Sequence, residues 1–154
     1  MNVVATLEMT AFNALHMRLL TLVRNETIPF IAEKNKARIL KLTASGSDYE
    51  GEIFHEYGSS QRKKREAAGL ETSVKDLFFT GGMLGSLAFT PDDTLFGVEG
   101  FLTVGEEYQR IALGQQTGHS GSWGYEHKFM GVSEEGSQLA ATEWNDHLGG
   151  LLRG

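Results

Sequence analysis

The segment from Val74 to Leu87 sets the narrowest limits on the fold. An apolar run that ends at Phe79 is interrupted by Thr80-Gly81-Gly82, and an apolar segment resumes at once with Met83. Glycine adopts backbone conformations that a side chain disfavours, which is why it is common in tight turns. We therefore predict a structural turn at Thr80, Gly81 and Gly82 between two buried segments, with at least one glycine in such a conformation.

The length and composition predict one domain spanning residues 1–154. A chain of 154 residues with 40% hydrophobic residues can bury a single core. The absence of cysteine excludes a disulfide framework. No apolar stretch approaches the roughly 20 residues that a membrane span needs, and the first ten residues lack the features of a secretion signal. We expect a soluble protein with no membrane contact.

Two helices are predicted before residue 46. Apolar residues at helical spacing predict an amphipathic helix from about Thr6 to Arg24. Its apolar stripe consists of Phe12, Leu15, Leu19, Leu22 and Val23. Asn25 is expected to interrupt it, and Thr27 to cap a second helix that ends at Gly46. We predict that the two helices pack antiparallel on one core.

The segment from 45 to 69 is predicted to be an extended interaction loop. It is rich in Gly, Ser and charged residues and shows no sustained hydrophobic period. Long loops of this kind are usually functional or disordered.

The second half of the chain predicts a small sheet. Leu87 and Phe89 lead into a turn at Pro91-Asp92-Asp93, and Leu95 to Val104 alternates as a returning strand would. Asp92, Asp93 and Glu99 are interpreted as turn formers and solvated charge. A third sheet segment is predicted at Gly124 to Met130.

A closing helix follows the sheet. Glu134 and Glu135 suit its N-terminus, and Gly149-Gly150 is expected to fray its end. Its apolar face is formed by Ala140, Trp144, Leu148 and Leu151. The predicted fold class is α+β: two N-terminal helices, a small mostly antiparallel sheet and a C-terminal helix, with long interaction loops.

No catalytic, cofactor or metal site is predicted. The five histidines lack the i, i+4 pair with an intervening Glu that marks a helical zinc site, and there is no cysteine. No Gly-x-Ser-x-Gly nucleophile motif is present. Gly81-Gly82 is followed by Met83-Leu84, whereas a phosphate-binding loop requires Lys and then Ser or Thr.

The sharpest local charge feature is Gln61 to Glu66, which holds four basic residues in a chain of net charge −6. It is either a solvated segment or a contact for a partner. A run this short offers few phosphate contacts, and nearby aromatic residues resemble the anchors of protein interfaces, so a protein partner is favoured over DNA. Trp123, Tyr125 and Phe129 belong either to the core or to a subunit interface. The predicted interface residues are Tyr49, Phe54, Tyr57, Arg62, Lys63, Lys64, Arg65, Trp123 and Tyr125.

Several weak motifs occur in a fixed order along most of the chain. They are Tyr49 and Tyr57 with Arg62 and Arg65, Gly69-Leu70, Asp76-Leu77 running into the segment from Thr80 to Leu87, Tyr108 to Gly114, and Phe129 to Glu135. This order resembles the phage virion morphogenesis family, the tail-completion or neck proteins of tailed bacteriophages. The chain departs from the family pattern at Ala112-Leu113-Gly114 and at Glu126-His127-Lys128.

The resemblance implies a structural virion protein without catalytic activity or cofactors. Such a head-tail connector or tail terminator would form a homo-oligomeric ring, a hexamer or dodecamer, between the portal side of the capsid and the tail. Its partners would be neighbouring portal, connector and tail proteins, and DNA would pass through the ring lumen. Its location would be the head–tail junction of the virion, after assembly in the host cytoplasm. The alternative is a small α+β enzyme or ligand-binding domain of unknown substrate.

Overall fold

The computed structural model describes residues 3–77, 81–94, 97–118 and 128–153. Within these ranges the chain is largely helical, with one small antiparallel sheet and a C-terminal helix, which agrees with an α+β fold in general terms. No helix in this part of the chain combines the length and the apolar character needed to cross a membrane.

Residues 3–44 form one continuous helix. Helix α1 (Val3–Leu22) passes through a π-helical turn (Val23–Thr27) into helix α2 (Ile28–Ala44), and the junction residues keep right-handed helical angles. The predicted break at Asn25, the cap at Thr27 and the antiparallel pairing are therefore wrong. Thr27 makes no side-chain capping bond. Pro29 explains the wider turn, because its ring clashes with the carbonyl four residues earlier in a regular helix.

Helix α2 ends as predicted at Gly46. The Gly46 amide donates to the Thr43 carbonyl oxygen at 3.0 Å, and the Ser47 amide donates to that of Leu42 at 2.9 Å. This pair of bonds is a Schellman motif, in which the glycine takes left-handed angles. Gly46 accordingly has a φ of 79°.

The segment from 45 to 69 contains helix α3 (Ser59–Ala67), so the prediction of an extended loop is wrong over those nine residues. The sequence of α3, SSQRKKREA, has no apolar period because the one residue that it buries is Arg65. Gln, Arg, Lys, Glu and Ala are nevertheless good helix formers.

The predicted hairpin is present. Strand β1 (Ala88–Thr94) pairs antiparallel with strand β2 (Gly97–Thr103), in a register that runs from Ala88 opposite Thr103 to Thr94 opposite Gly97. The predicted turn at Pro91-Asp92-Asp93 is wrong, because these residues lie within β1 and Asp92 pairs with Glu99. Proline is tolerated there since both strands of a two-stranded sheet are edges.

Short helices surround the hairpin. Helix α4 (Gly82–Gly85) precedes β1, and a 3-10 turn (Glu106–Tyr108) leads from β2 into helix α5 (Gln109–Thr117). In the described residues the sheet has two strands. Of the third segment predicted at Gly124 to Met130, residues 124–127 lie outside the described ranges and residues 128–130 are not in a strand.

Helix α6 (Glu134–Arg153) closes the fold, with Glu134 and Glu135 in its first turn as predicted. It continues through Gly149-Gly150, so the predicted fraying is wrong. Half-buried Leu148 and Leu151 flank the two glycines.

The core brings together α2, the segment after it, α4, β2, α5 and the start of the C-terminal region. Its buried members are Ile39, Phe54, Met83, Leu84, Leu87, Val104, Ala112 and Phe129. Helix α6 packs beside α2, where the His147 ring stacks on Phe30 at 4.1 Å and Arg38 pairs with Glu143 at 2.6 Å.

Candidate interaction surface on helix α3

Helix α3 has one buried basic residue and three exposed ones. Arg65 is 1% exposed, whereas Arg62, Lys63 and Lys64 face solvent. We call these three exposed residues the basic face. Arg62 pairs with Glu56 at 3.2 Å, an exposed ion pair of the kind that contributes little to stability.

Arg65 is held by three different interactions. Its Nε donates to the Glu71 carbonyl oxygen at 2.7 Å, and its Nη2 lies 3.0 Å from the Asp76 carboxylate. Its guanidinium carbon lies 4.4 Å from the centre of the Tyr57 ring, within the range of a cation–π interaction. The buried charge is therefore both paired and hydrogen-bonded, as a charge in a protein interior must be.

Tyr57 completes this cluster. Its hydroxyl donates to Asp76 Oδ1 at 2.9 Å and accepts the Asp76 backbone amide at 3.3 Å. The Lys75 ammonium lies 5.7 Å from the centre of the same ring. We call Tyr57, Arg65 and Asp76 the arginine clamp, because together they join α3 to the segment that leads into the core.

Burial, and then the hydrogen bond to Asp76, raise the pKa of Tyr57 from 10.0 to about 12. Burial also lowers the pKa of Lys75. Both shifts have the direction expected for groups whose charged form is disfavoured in a partly dry environment. The clamp therefore keeps its phenol neutral and able to donate across the neutral pH range.

We expect Tyr57 to ionise at a higher pH than an ordinary tyrosine. The difference in phenolate absorbance between the wild type and Tyr57→Phe isolates this one group, and its midpoint should lie near the raised pKa of about 12. Because the folded pKa is raised above 10.0, the contribution of Tyr57 to stability is complete below about pH 10 and is lost as the pH rises towards 12. Circular dichroism at each pH shows whether the chain is still folded. A midpoint near 10 in folded protein would contradict the buried hydrogen bond.

Both ends of α3 are fixed by the backbone. Gly58 precedes the helix with extended angles, and its carbonyl oxygen accepts the Arg62 amide at 2.9 Å. At the other end Gly69 has a φ of 69°, and the Leu70 amide donates to the Arg65 carbonyl oxygen at 2.9 Å. This is a second Schellman motif. The basic face is therefore presented from a helix with defined ends.

The structure separates the predicted interface residues into three groups. Phe54, Tyr57 and Arg65 are buried within the chain, Phe54 in the core and the other two in the arginine clamp. Tyr49 is half-buried, with its ring against Gly131 and its amide donating to the Lys128 carbonyl oxygen at 3.1 Å. The three residues of the basic face are exposed. Trp123 and Tyr125 lie outside the described residues.

The predicted structural turn is described at its two glycines, and Thr80 lies outside the described residues. Gly81 has a φ of 76°, in the left-handed region that favours glycine. Gly82 begins α4, and a Cβ built there would overlap the Tyr108 hydroxyl. Glycine is therefore needed at position 81 for its backbone angles and at position 82 for its close contact with the Tyr108 side chain.

Sequence reasoning missed Asp76 as the partner of Arg65. Asp76 stands in the sequence eleven residues from the arginine, at the start of an apolar segment and with no periodic pattern between them. A buried arginine needs a carboxylate nearby, but burial of this arginine could not be foreseen in a polar stretch.

Helix α1 exposes part of its apolar stripe. Leu15 is 66% exposed and Leu19 is 38% exposed, so these two residues do not pack on the chain's own core as predicted. Met17, on another side of the helix, is also exposed. Helix α1 therefore exposes apolar side chains on more than one side.

An open apolar groove of about 470 Å³ lies between α2, the hairpin and α6. Its lining includes Ile31, Ala32, Ile39, Phe89, Leu102 and Trp144. Asn35 is the one lining residue with an amide side chain. The groove is thus suited to apolar side chains more than to a polar substrate.

Among the described residues, no three His, Asp or Glu side chains come together in a group that could hold a metal ion. Compared with models of protein families, with curated proteins and with solved structures, the chain matches none. A proposal for the function therefore rests on the arginine clamp, the basic face and the apolar surfaces.

Proposed function

We propose that this protein is a structural component of the neck of a tailed bacteriophage, which joins the portal side of the capsid to the tail as a homo-oligomeric ring and performs no catalysis. The observation that carries this proposal is the arginine clamp. It uses a buried arginine, a tyrosine and an aspartate to fix a short helix whose remaining basic residues face solvent. A rigidly held, charged surface helix is suited to docking.

The charge of the basic face favours a protein partner. Arg62, Lys63 and Lys64 are adjacent cations in a chain of net charge −6. This local positive charge on an acidic chain attracts an acidic surface of another protein to α3. It also sets the rate and the orientation of association. Three cations neutralise few phosphates, so DNA affinity would be weak. In the proposed hexameric or dodecameric ring, DNA passes through the lumen while the basic face contacts a neighbouring subunit, the connector or the tail.

The ordered motifs of the sequence also support the proposal, and the described part of the structure holds Tyr57, Arg65 and Asp76 from that order in direct contact. The proposed location is the head–tail junction of the virion, reached from the host cytoplasm. The apolar groove favours a second candidate, a ligand-binding domain. A small, well-ordered apolar ligand retained by the purified protein would support that candidate.

Charge reversal of the basic face tests the neck function. We expect Lys63→Glu with Lys64→Glu to leave the free energy of unfolding within about 0.5 kcal/mol of wild type, because both side chains are exposed. Electron microscopy of particles assembled with this variant should show free heads and free tails. The matched control is Lys34→Glu with Lys41→Glu, which makes the same charge change at exposed positions of α2.

Two results would contradict the neck function. Particles that join normally with the reversed basic face would remove the docking role of α3. Infectious, fully joined particles that lack this polypeptide would exclude the ring itself.

A further inference from the structure

We infer that the apolar groove binds a medium-chain monocarboxylate, a small molecule with an unbranched alkyl chain and one carboxylate head. The inference rests on the second candidate of the proposed function, a ligand-binding domain, and gives that candidate a ligand class. It does not depend on the neck function. The groove has a volume of about 470 Å³, which lies within the range of small-molecule sites.

The body of the groove is apolar on both sides. Ile28, Ile31 and Ala32 form its wall on α2, and the hairpin contributes Phe89 and Leu102, which lie opposite each other in the sheet. An alkyl chain placed between these walls loses its contact with water, and this loss is the main source of affinity for apolar ligands. The walls therefore fit the chain of the ligand.

Asn35 places a hydrogen-bond donor in the α2 wall. Its Oδ1 accepts Nη1 of Arg38 at 2.8 Å, and Nη2 of Arg38 is held by Glu143 at 2.6 Å. This bridge turns Oδ1 towards Arg38 and fixes the orientation of the amide. The Asn35 side chain makes no other hydrogen bond within the described residues. Its Nδ2 is therefore free to donate to a ligand.

Trp144 supplies a second donor, from α6. It lines the groove, and its indole N–H, which can only donate, makes no hydrogen bond in the described part of the chain. Trp144 follows Glu143, and Glu143 holds the arginine that is bonded to Asn35. The bridge thus brings α2 and α6 together at the level of Asn35 and Trp144. A carboxylate, whose two oxygens only accept, matches a site whose free side-chain groups are donors.

The charge beside this site is positive. Lys36 lies four residues after Ala32 and three before Ile39, so it neighbours both lining residues on the helix surface. It is half-buried and makes no ion pair with any described residue. Asp146 is exposed and lies about 200° around α6 from Trp144, on another side of that helix. An unpaired cation at the rim is complementary to the anionic head of the ligand.

The length of the α2 wall sets the length of the ligand. Seven residues separate Asn35 from Ile28, where the wall begins, which corresponds to about 10 Å along the helix. With carbon–carbon bonds of about 1.5 Å, an extended alkyl chain advances about 1.25 Å per carbon, so about eight carbons cover this distance. Decanoate is therefore a suitable probe, with its carboxylate at Asn35 and its chain directed towards Ile28.

Isothermal titration calorimetry with decanoate and with 1-decanol tests the head group. The two probes have chains of the same length, and a groove without donors would favour the alcohol, because burial of a carboxylate without partners is costly. We expect decanoate to bind about 10-fold more tightly than 1-decanol, or better, at neutral pH and low salt. The fluorescence of Trp144, measured in a Trp123→Phe background, should change on binding and locate the ligand in the groove.

Asn35→Asp tests the donor. It replaces the free amide by an acceptor of the same size, and the new carboxylate still accepts from Arg38. We expect decanoate binding to weaken by about 10-fold or more and 1-decanol binding to change by less than about 2-fold. Asn25→Asp is the matched control, since it makes the same change at an exposed position of the same long helix, outside the groove. It should leave both affinities unchanged, and circular dichroism should show that both variants are folded.

Three results would overturn the inference. They are no binding of decanoate at about 1 mM, binding of 1-decanol that equals or exceeds that of decanoate, and an Asn35→Asp variant that binds decanoate as well as Asn25→Asp does. Each of them leaves the neck function to the particle-joining assay, to which no ligand is added. Failure of the particle-joining assay would in turn leave the affinity of the groove unaffected.

Discussion

Arg65→Ala is expected to lower the free energy of unfolding by about 3–5 kcal/mol, the cost of removing one partner from a buried ion pair. The Asp76 carboxylate and the Tyr57 ring would lose their contacts with the guanidinium, and the Glu71 carbonyl oxygen would lose its donor. Urea denaturation followed by circular dichroism measures the loss.

Arg62→Ala is the matched control for Arg65→Ala, since it removes the same side chain from the same helix. Its ion pair with Glu56 is exposed, so the expected loss is about 0–1 kcal/mol. The double variant Arg65→Met with Asp76→Ala should lose less than the sum of the single variants, because neither charge is left unpaired. Similar small losses for Arg65→Ala and Arg62→Ala would show that the clamp does not hold α3.

The position of Arg65 changes how the basic segment can be tested. On sequence alone, charge reversal of Arg62 and Arg65 is expected to impair particle joining while leaving the monomer folded. That expectation is wrong for Arg65, because a carboxylate at a 1% exposed site would face Asp76 across the clamp. Reversal at Lys63 and Lys64 separates docking from folding.

Gly46→Ala is expected to destabilise the chain by about 2–5 kcal/mol. Gly46 has a φ of 79°, where a side chain costs about 1–2 kcal/mol. A Cβ there would also overlap Cγ1 of Val74, and overpacking of this kind costs about 1–3 kcal/mol. The denaturation midpoint should fall while the slope of the unfolding transition is unchanged.

Gly51→Ala separates the two contributions. Gly51 has a similar φ of 87°, but nothing lies within 4 Å of a Cβ built there. We expect a loss of about 1–2 kcal/mol, from backbone strain alone. Equal losses at the two positions would mean that Val74 moves aside without cost and that the packing of the segment before Asp76 against α2 is loose.

The elements that the sequence predicted well are those with local, periodic signals. The alternation of Leu95 to Val104 indicated the returning strand, and the apolar spacing from Ala140 to Leu151 indicated α6. Gly46 indicated the end of α2 because one residue type suits a left-handed C-cap. In each case a few adjacent residues determine the outcome.

The candidate site was located in part. The sequence indicates the basic segment but places Arg65 on the surface, because burial of this arginine depends on Asp76 and Tyr57 meeting it in three dimensions. The sequence predicts a loop at α3 because the inner face of that helix is a single arginine. The join of α1 to α2 was missed because Asn25 and Thr27 are typical of helix boundaries, whereas here a π-helical turn includes both.

The π-helical turn at Val23–Thr27 rotates α1 about its axis relative to α2. A π-helical turn contains about one residue more than an α-helical turn, and one residue corresponds to about 100° around the axis. In a regular α-helix, the side of α1 that carries Leu15 and Leu19 would continue along one side of α2. The extra residue in the turn moves the two leucines away from that side. Loss of one residue from Val23–Thr27 would rotate α1 about its axis relative to α2, so the length of this turn sets the direction in which Leu15 and Leu19 point.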